Sequence, residues 1–349
     1  MIDFRYHVVS LISVFLALAV GIALGAGPLK ETIGDTLTGQ VEQLRGEKDN
    51  LRTQLDSTDA DLDRSTTYID AAAARMLPGS LAQRRVAVVA LGGVPDKQRK
   101  AIEDRLTQAN ATISADVTLT SAWTDQAQRA YRQAITSRML PHMAHQPDAG
   151  ATADQQISAA LVQGLVDGDG ADPNKLSADA QSLLDVLSSK EAGTPLISVK
   201  NDVKAPADAV VVVAVPAAGT SGATASPAAT PEVTASHVAV VSAAQKYSAG
   251  AVLADGPRGS GSLTDAVLSD DTLAASISTV SATGEVPGQV SVPLALAARI
   301  ADTVGHFGFG VGEKPLPPTV ALPAVDRTPR PQGPPTALST PTATAGSHA

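Results

Sequence analysis

Met139, His142, Met143 and His145 lie together in the stretch RMLPHMAHQ, a local concentration of soft and imidazole donors. Thioether sulfur and imidazole nitrogen suit a soft cation such as Cu(I). The chain has no cysteine, six histidines and four methionines, so this stretch holds much of its capacity for such chemistry. The competing reading makes Met139 the core-facing end of a helix and leaves both histidines on an exposed loop after Pro141. His306, between glycine-rich residues in GHFGFG, is a second candidate ligand, with a cap or turn role as its alternative.

The segment Asp255–Ser262, DGPRGSGS, follows an apolar run and precedes a helical one, where backbone amides can cradle an anion. It lacks the spacing of a Walker lysine or a dinucleotide fingerprint, so a tight structural turn is the expectation there. Gly92-Gly93 fails the same spacing test. HExxH, GxSxG and CxxC are absent, and no nucleophile pairs with a base and an orienting group. A protein without catalytic activity is therefore expected.

The elements that must position these residues begin at Arg85. Arg85–Leu91 is a valine-rich run ending at two glycines and reads as a buried strand. Asp96–Asn110 follows as an amphipathic helix with Ile102 and Leu106 on one face, then Ile113–Leu119 as a strand. Thr124–Leu140, Thr152–Asp167 and Ser177–Lys190 read as helices, and Leu196–Val199 and Ala209–Val215 as strands. Beyond a linker come a helix at Val238–Tyr247, a strand at Ala251–Ala254 and a short helix at Leu263–Leu268. Strands at Ile277–Ser281 and Gln289–Val292 and a helix from Pro293 complete the series. Strands alternating with helices imply an α/β fold with a mostly parallel sheet covered on both faces. The expected body spans 84–312, with 216–236 as a low-complexity insertion; two small separate domains are the alternative.

Ahead of the body lies Val8–Leu29, a run without one charged side chain. As a helix it measures about 33 Å at 1.5 Å per residue, enough to cross a hydrocarbon core of about 30 Å. Ala17, Gly21 and Gly25 recur every fourth residue, a pattern that lets two membrane helices approach closely. Residues 1–29 are thus expected to be a transmembrane anchor, a cleaved signal ending near Ala23-Leu24-Gly25 being the alternative. Arg5 and His7 precede the span and Lys30 follows it, so Lys and Arg balance across it, and the short leader favours a cytoplasmic amino terminus with the body outside.

Residues 30–75 follow a heptad, with a at Val41, Lys48, Leu55, Leu62 and Ile69 and d at Leu37, Leu44, Leu51, Thr58 and Ser65. This is the seam of a left-handed coiled coil, and it predicts a parallel homodimer through 37–69. Lys48 at a favours a dimer in register, and Glu47 at g can reach Arg52 at e of the partner. A helix folded back on its own body is the alternative.

A formal charge of −9 argues against nucleic acid as a partner and against docking on anionic headgroups. Only 3% of residues are aromatic, so the core must be built from Ala, Val, Leu and Ile. Residues 313–349 are rich in Pro, Thr and Ala and read as a disordered tail.

The ends of the chain carry a resemblance. HVVSLISVFLALAVGIALGAGPL (His7–Leu29), VLADGPRGSGSL (Val252–Leu263), ISTVSATGEVPGQVSVPLALAARI (Ile277–Ile300) and GHFGFG (Gly305–Gly310) resemble the actinobacterial copper transporter family typified by the mycobacterial copper transport protein B. The order of span, stalk and body is similar over roughly Met1–Gly312. Ser281 stands where that family often has an acidic residue after the threonine-valine pair. The resemblance implies a membrane-associated envelope protein of copper homeostasis, with copper as the expected cargo. A pore needs several spans or a many-stranded barrel. One span therefore favours an oligomer or an accessory to another machine. The competing function is a scaffold that positions an envelope protein partner without any metal.

Overall fold

The computed structural model describes residues 4–26, 28–191, 193–214, 230–259 and 261–329, leaving the side chains of 26–36 outside the description. The chain divides into two units, Met1–Thr67 and Tyr68–Ala349.

The first unit is helical. Helix α1 (Phe4–Ala26) contains Phe4–Gly25, 22 residues of mean hydropathy 2.6 with nothing buried. Helix α2 (Pro28–Met76) runs for 49 residues and opens on Pro28, whose missing N–H costs nothing in a first turn. Its stripe of Leu37, Val41, Leu44, Leu51, Leu55 and Leu62 stays exposed in the single chain.

The end of α2 belongs to the second unit. Ile69 and Met76 pack beside fully buried Ala73, Leu77 and Leu81, and Asp70 pairs with Arg105. The body therefore starts well before residue 84, because the helix keeps an apolar face through its last turns.

Seven strands form one sheet in the order β3-β2-β1-β4-β5-β6-β7. They are β1 (Arg85–Ala90), β2 (Thr112–Leu119), β3 (Ile197–Val199), β4 (Ala209–Val213), β5 (Ala251–Ala254), β6 (Ser278–Val280) and β7 (His306–Phe307). All pairings are parallel except β2 with β3. Strands from both sides of 215–229 lie next to one another in this sheet, β4 between β1 and β5. Val86–Ala90 and Ala209–Val213 are buried throughout, as strands covered on both faces must be.

One face packs Val89, Val210, Val212 and Leu253 against α5 (Ala153–Val166), α6 (Ala178–Ser188) and α7 (Pro231–Tyr247). The other packs Val88, Val211, Val213 and Val252 against α3 (Asp96–Gln108), α10 (Val286–Ile300) and the end of α2. Helices α4 (Arg129–Met139), α8 (Leu263–Leu268) and α9 (Asp271–Ser276) complete the set.

Several expected boundaries move. The strand expected at Gln289–Val292 is part of α10, with Pro293 inside the helix. Residues Gly288–Ala298 are buried all round, so the helix shows no polar face to betray its period. The helix expected from Thr124 starts at Arg129, after two 3-10 turns capped by the Thr120 and Asp125 side chains. Helix α7 starts at Pro231 behind a Thr230 cap, so 231–236 leave the expected insertion, whose residues 216–229 lie outside the described ones.

Of the expected tail, 313–329 run without helix or strand along the body. Arg327 donates to Asp208 at 2.7 Å, Arg84 donates to the Pro323 carbonyl at 2.9 Å, and Leu322 packs against the core. Residues 330–349 lie outside the described residues.

Candidate functional site

The four donors of RMLPHMAHQ do not converge. Met139 and Met143 are 1% and 5% exposed and belong to the core beneath α5. The two histidines face elsewhere. His142 Nδ1 lies 2.7 Å from Asp179 at the start of α6, and the His145 ring stacks on Tyr247 of α7 with centroids 6.1 Å apart. Gln163 holds the loop in place, its side chain accepting from the His145 amide and donating to the His145 carbonyl. The reason is local. A helix end followed by one 3-10 turn, Leu140–His142, turns residues 139 and 143 inward together and leaves 142 and 145 outside. Among the described residues, no group of three or more His, Cys, Asp or Glu side chains is placed to hold a metal ion. The loop presents two separate accessible imidazoles and, among the described residues, no preformed metal cage.

His306 stands on the edge strand β7, half-buried, with Nδ1 3.1 Å from the Thr279 hydroxyl. Burial pushes its imidazole below the ordinary range, so it stays neutral near pH 7.

The polar centre of the body lies where β5, β6 and β7 end. Asp255 follows β5 and is fully buried. Its carboxylate accepts from the Gly256 amide at 2.7 Å and from the Thr264 amide and hydroxyl at 2.8 and 2.9 Å. Burial pushes the carboxyl up, and these donors pull it back. The glycine-rich turn thus wraps the chain's own anion, and a free anion would have to compete with Asp255 for those amides. Thr283 joins in: its hydroxyl donates to the Asp255 carbonyl and accepts from the Gln98 amide of α3.

After β6, Ser281 Oγ donates to Glu313 Oε2 at 2.8 Å, and the Gly310 amide donates to the same oxygen at 2.7 Å. The turn where the resembled family often has an acid, and this chain has Ser281, nevertheless carries a carboxylate, supplied by Glu313 from beyond β7. Gly308, at φ +150°, leaves room for both side chains, since a Cβ there would collide with Ser281 and Glu313. Arg258 donates to Asp265 at 2.8 Å and ties the turn to α8. Three of the sequence segments that carried the resemblance thus fold into one knot of loops at the carboxyl ends of β5, β6 and β7, to one side of the β1–β4 step where the strand order reverses and such sheets bind ligands. Glu313 and Gln98 had no local signal, because each reaches the knot from a distant part of the chain.

Two other features lie away from the knot. Asp116 of β2 is buried against Arg99 and within 3.3 Å of Lys200, and Glu103 beside it is pushed up first by burial and then by the Asp116 charge. A cleft of about 580 Å³ opens between α5 and α7, walled by Ala159, Val238 and Ala243, with Asp148, Lys246 and Tyr247 at its rim.

These observations define a membrane-associated protein: an apolar amino-terminal helix, a long heptad helix and an α/β body with a loop knot at one end of its sheet. The chain belongs to the MctB family, described as copper transport outer membrane protein, whose family model matches residues 1–318. It is similar to the protein named copper transporter MctB of Mycobacterium leprae, at 32% identity over 321 residues, covering 89% of this chain and 97% of that one. The proteins of the same name in Mycobacterium tuberculosis and Mycobacterium bovis are 28% identical over 320 residues, covering 89% of this chain and 98% of each.

Proposed function

We propose that this chain is a single-pass, non-catalytic envelope protein of copper homeostasis, tethered by α1 and acting as an accessory to another transport machine. The observation that carries this reading is the extent of the family match, which runs through the apolar helix and the whole body alike. Relatives named copper transporters match over the same length.

The physical form favours an accessory over a pore. Both faces of the described sheet are covered by helices, so among the described residues the strands of the body present no surface to lipid, and one described helix is long and apolar enough to span. Direct contact with copper falls to the accessible imidazoles, His142 and His145, with His306 second. The amino terminus is placed in the cytoplasm and the body outside because the leader before the span is short.

The test is deletion and complementation in the producing cell. Loss of the protein should raise cellular copper and copper sensitivity, and the full chain should restore both. Unchanged copper content after deletion would remove this function.

The buried thioethers favour a second reading, a scaffold that never touches the metal. Calorimetric titration of the detergent-solubilised chain with Cu(I) and Cu(II) separates the two. Micromolar binding that disappears in the His142→Ala/His145→Ala double variant supports direct handling. No binding, with complementation intact in that variant, supports the scaffold.

A further inference from the structure

We propose that α2 forms a parallel two-stranded coiled coil with a second copy of this chain over Leu37–Ser65, and that the pairing stops there because the same apolar stripe then packs onto the chain's own body. Along Leu37–Leu62 the six aliphatic seam residues are between 44% and 63% exposed. The b positions (Glu42, Asp49, Asp56, Asp63) and c positions (Gln43, Asn50, Ser57, Arg64) are polar, so a single face seeks cover. The seam keeps its alternating spacing over nearly four heptads, or about 39 Å of helix at 1.5 Å per residue.

The seam changes partner at Ile69. Ile69 and Met76, the next a positions, pack with Ala73 and Leu77 into the core under α3 and α10, and the ion pair of Asp70 with Arg105 fastens that turn. What the heptad presents as one continuous zipper is therefore shared between two surfaces, with polar Thr58 and Ser65 as its last d positions.

A second copy fits the charges flanking the seam. In a parallel pair Glu47 at g meets Arg52 at e of the other chain, and the contact is made twice by symmetry. Lys48 at a can lead its stem out of the seam toward Glu47 of the other copy. The antiparallel pairing that aligns the same leucines turns e toward e and sets Arg45 and Arg52 against one another. It would also send the two α1 helices to opposite ends of the zipper. This last argument for the parallel sense rests on α1 being the membrane anchor; the charge argument does not.

The chain has no cysteine, so a single introduced cysteine can bridge only to its own counterpart. Full-length chain in detergent, carrying Leu51→Cys, Thr53→Cys, Ile69→Cys or Ala72→Cys, is oxidised with diamide and resolved without reductant. Leu51→Cys at d should give disulfide dimer at least ten-fold above Thr53→Cys on the outer f position. Ile69→Cys and Ala72→Cys should stay at the Thr53→Cys level. Two variants beyond the boundary are used so that one poorly folded protein, detected by its melting temperature, does not decide the result.

Equal yields at Leu51 and Thr53 would overturn the seam. Bridging confined to a mixture of Lys48→Cys and Leu51→Cys chains would overturn the parallel sense. Dimer from both Ile69→Cys and Ala72→Cys at the Leu51 level would overturn the boundary. Failure of the anchor reading shows separately, as release of the unmodified chain from membranes without detergent.

Discussion

Asp255 accepts from three donors with no solvent beside it, and its place in the turn can be tested at that atom. In Asp255→Asn one acceptor oxygen becomes an NH2 group facing either the Gly256 amide or the Thr264 pair, both donors. Leaving buried donors unpaired costs about 1–3 kcal/mol, so urea unfolding should shift by that amount with the m-value unchanged. His237 on α7 gives a pH test: burial lowers its imidazole to about 4. The unfolded chain binds this proton near pH 6.5 and the folded chain only near pH 4, so stability is full above the upper value and falls as pH drops between them. Between pH 7.5 and 5 the loss should be about 2 kcal/mol, and His237→Gln should flatten that difference between the unfolding curves. At this scale the sequence exposes chain neighbours but not side-chain direction. RMLPHMAHQ puts four donors side by side, and a helix end plus one turn then sends the sulfurs inward and the imidazoles outward. Asp255 could be read as part of a strand–turn–helix segment, whereas Glu313 could not, because its partners Ser281 and Gly310 come from folding rather than from a motif.

Among the elements, α10 shows where patterning misleads and where a single methyl group can be decisive. Gln289–Val292 alternates polar with β-branched residues and therefore imitates a strand, but every one of these residues is buried within a helix. By contrast, the valine runs of β1 and β4 are legible because continuous apolar residues of that length end at turn signals. Helix α10 starts against the turn after β6, where Ala282 adopts φ +54°, and a Cβ on Gly288 would collide with the Ala282 carbonyl. A backbone atom cannot swing aside as a long side chain can. Gly288→Ala should therefore cost about 1–3 kcal/mol through forced displacement of the helix, seen as a lower melting temperature. Gly39→Ala, on the open side of α2 where nothing lies within 4 Å, should leave the melting temperature level or raise it slightly.

For the whole molecule, the order of apolar helix, heptad helix and alternating strands and helices is readable from the sequence, because each has its own period. The sheet order is not readable, since β3 reverses against β2 and the short β7 has only two residues to announce it. The proposed orientation rests on the short leader, because Arg5 before the span and Lys30 after it balance one another, and it has a direct measurement. Lys190 lies exposed at the surface of the body, and the absence of native cysteine makes Lys190→Cys the sole thiol in the chain. With the amino terminus in the cytoplasm, a membrane-impermeant maleimide should label this residue fully in intact spheroplasts, and lysis should add nothing. Labelling that appears only after lysis would put the body on the cytoplasmic side and reverse the proposed topology. Leu16→Arg tests the anchor by a separate route. An arginine at the centre of a span costs about 2.5–3.5 kcal/mol on insertion scales, enough to move a marginal helix out of the bilayer. The variant should lose membrane retention while the body keeps its melting temperature, because α1 and the body belong to separate units of the chain.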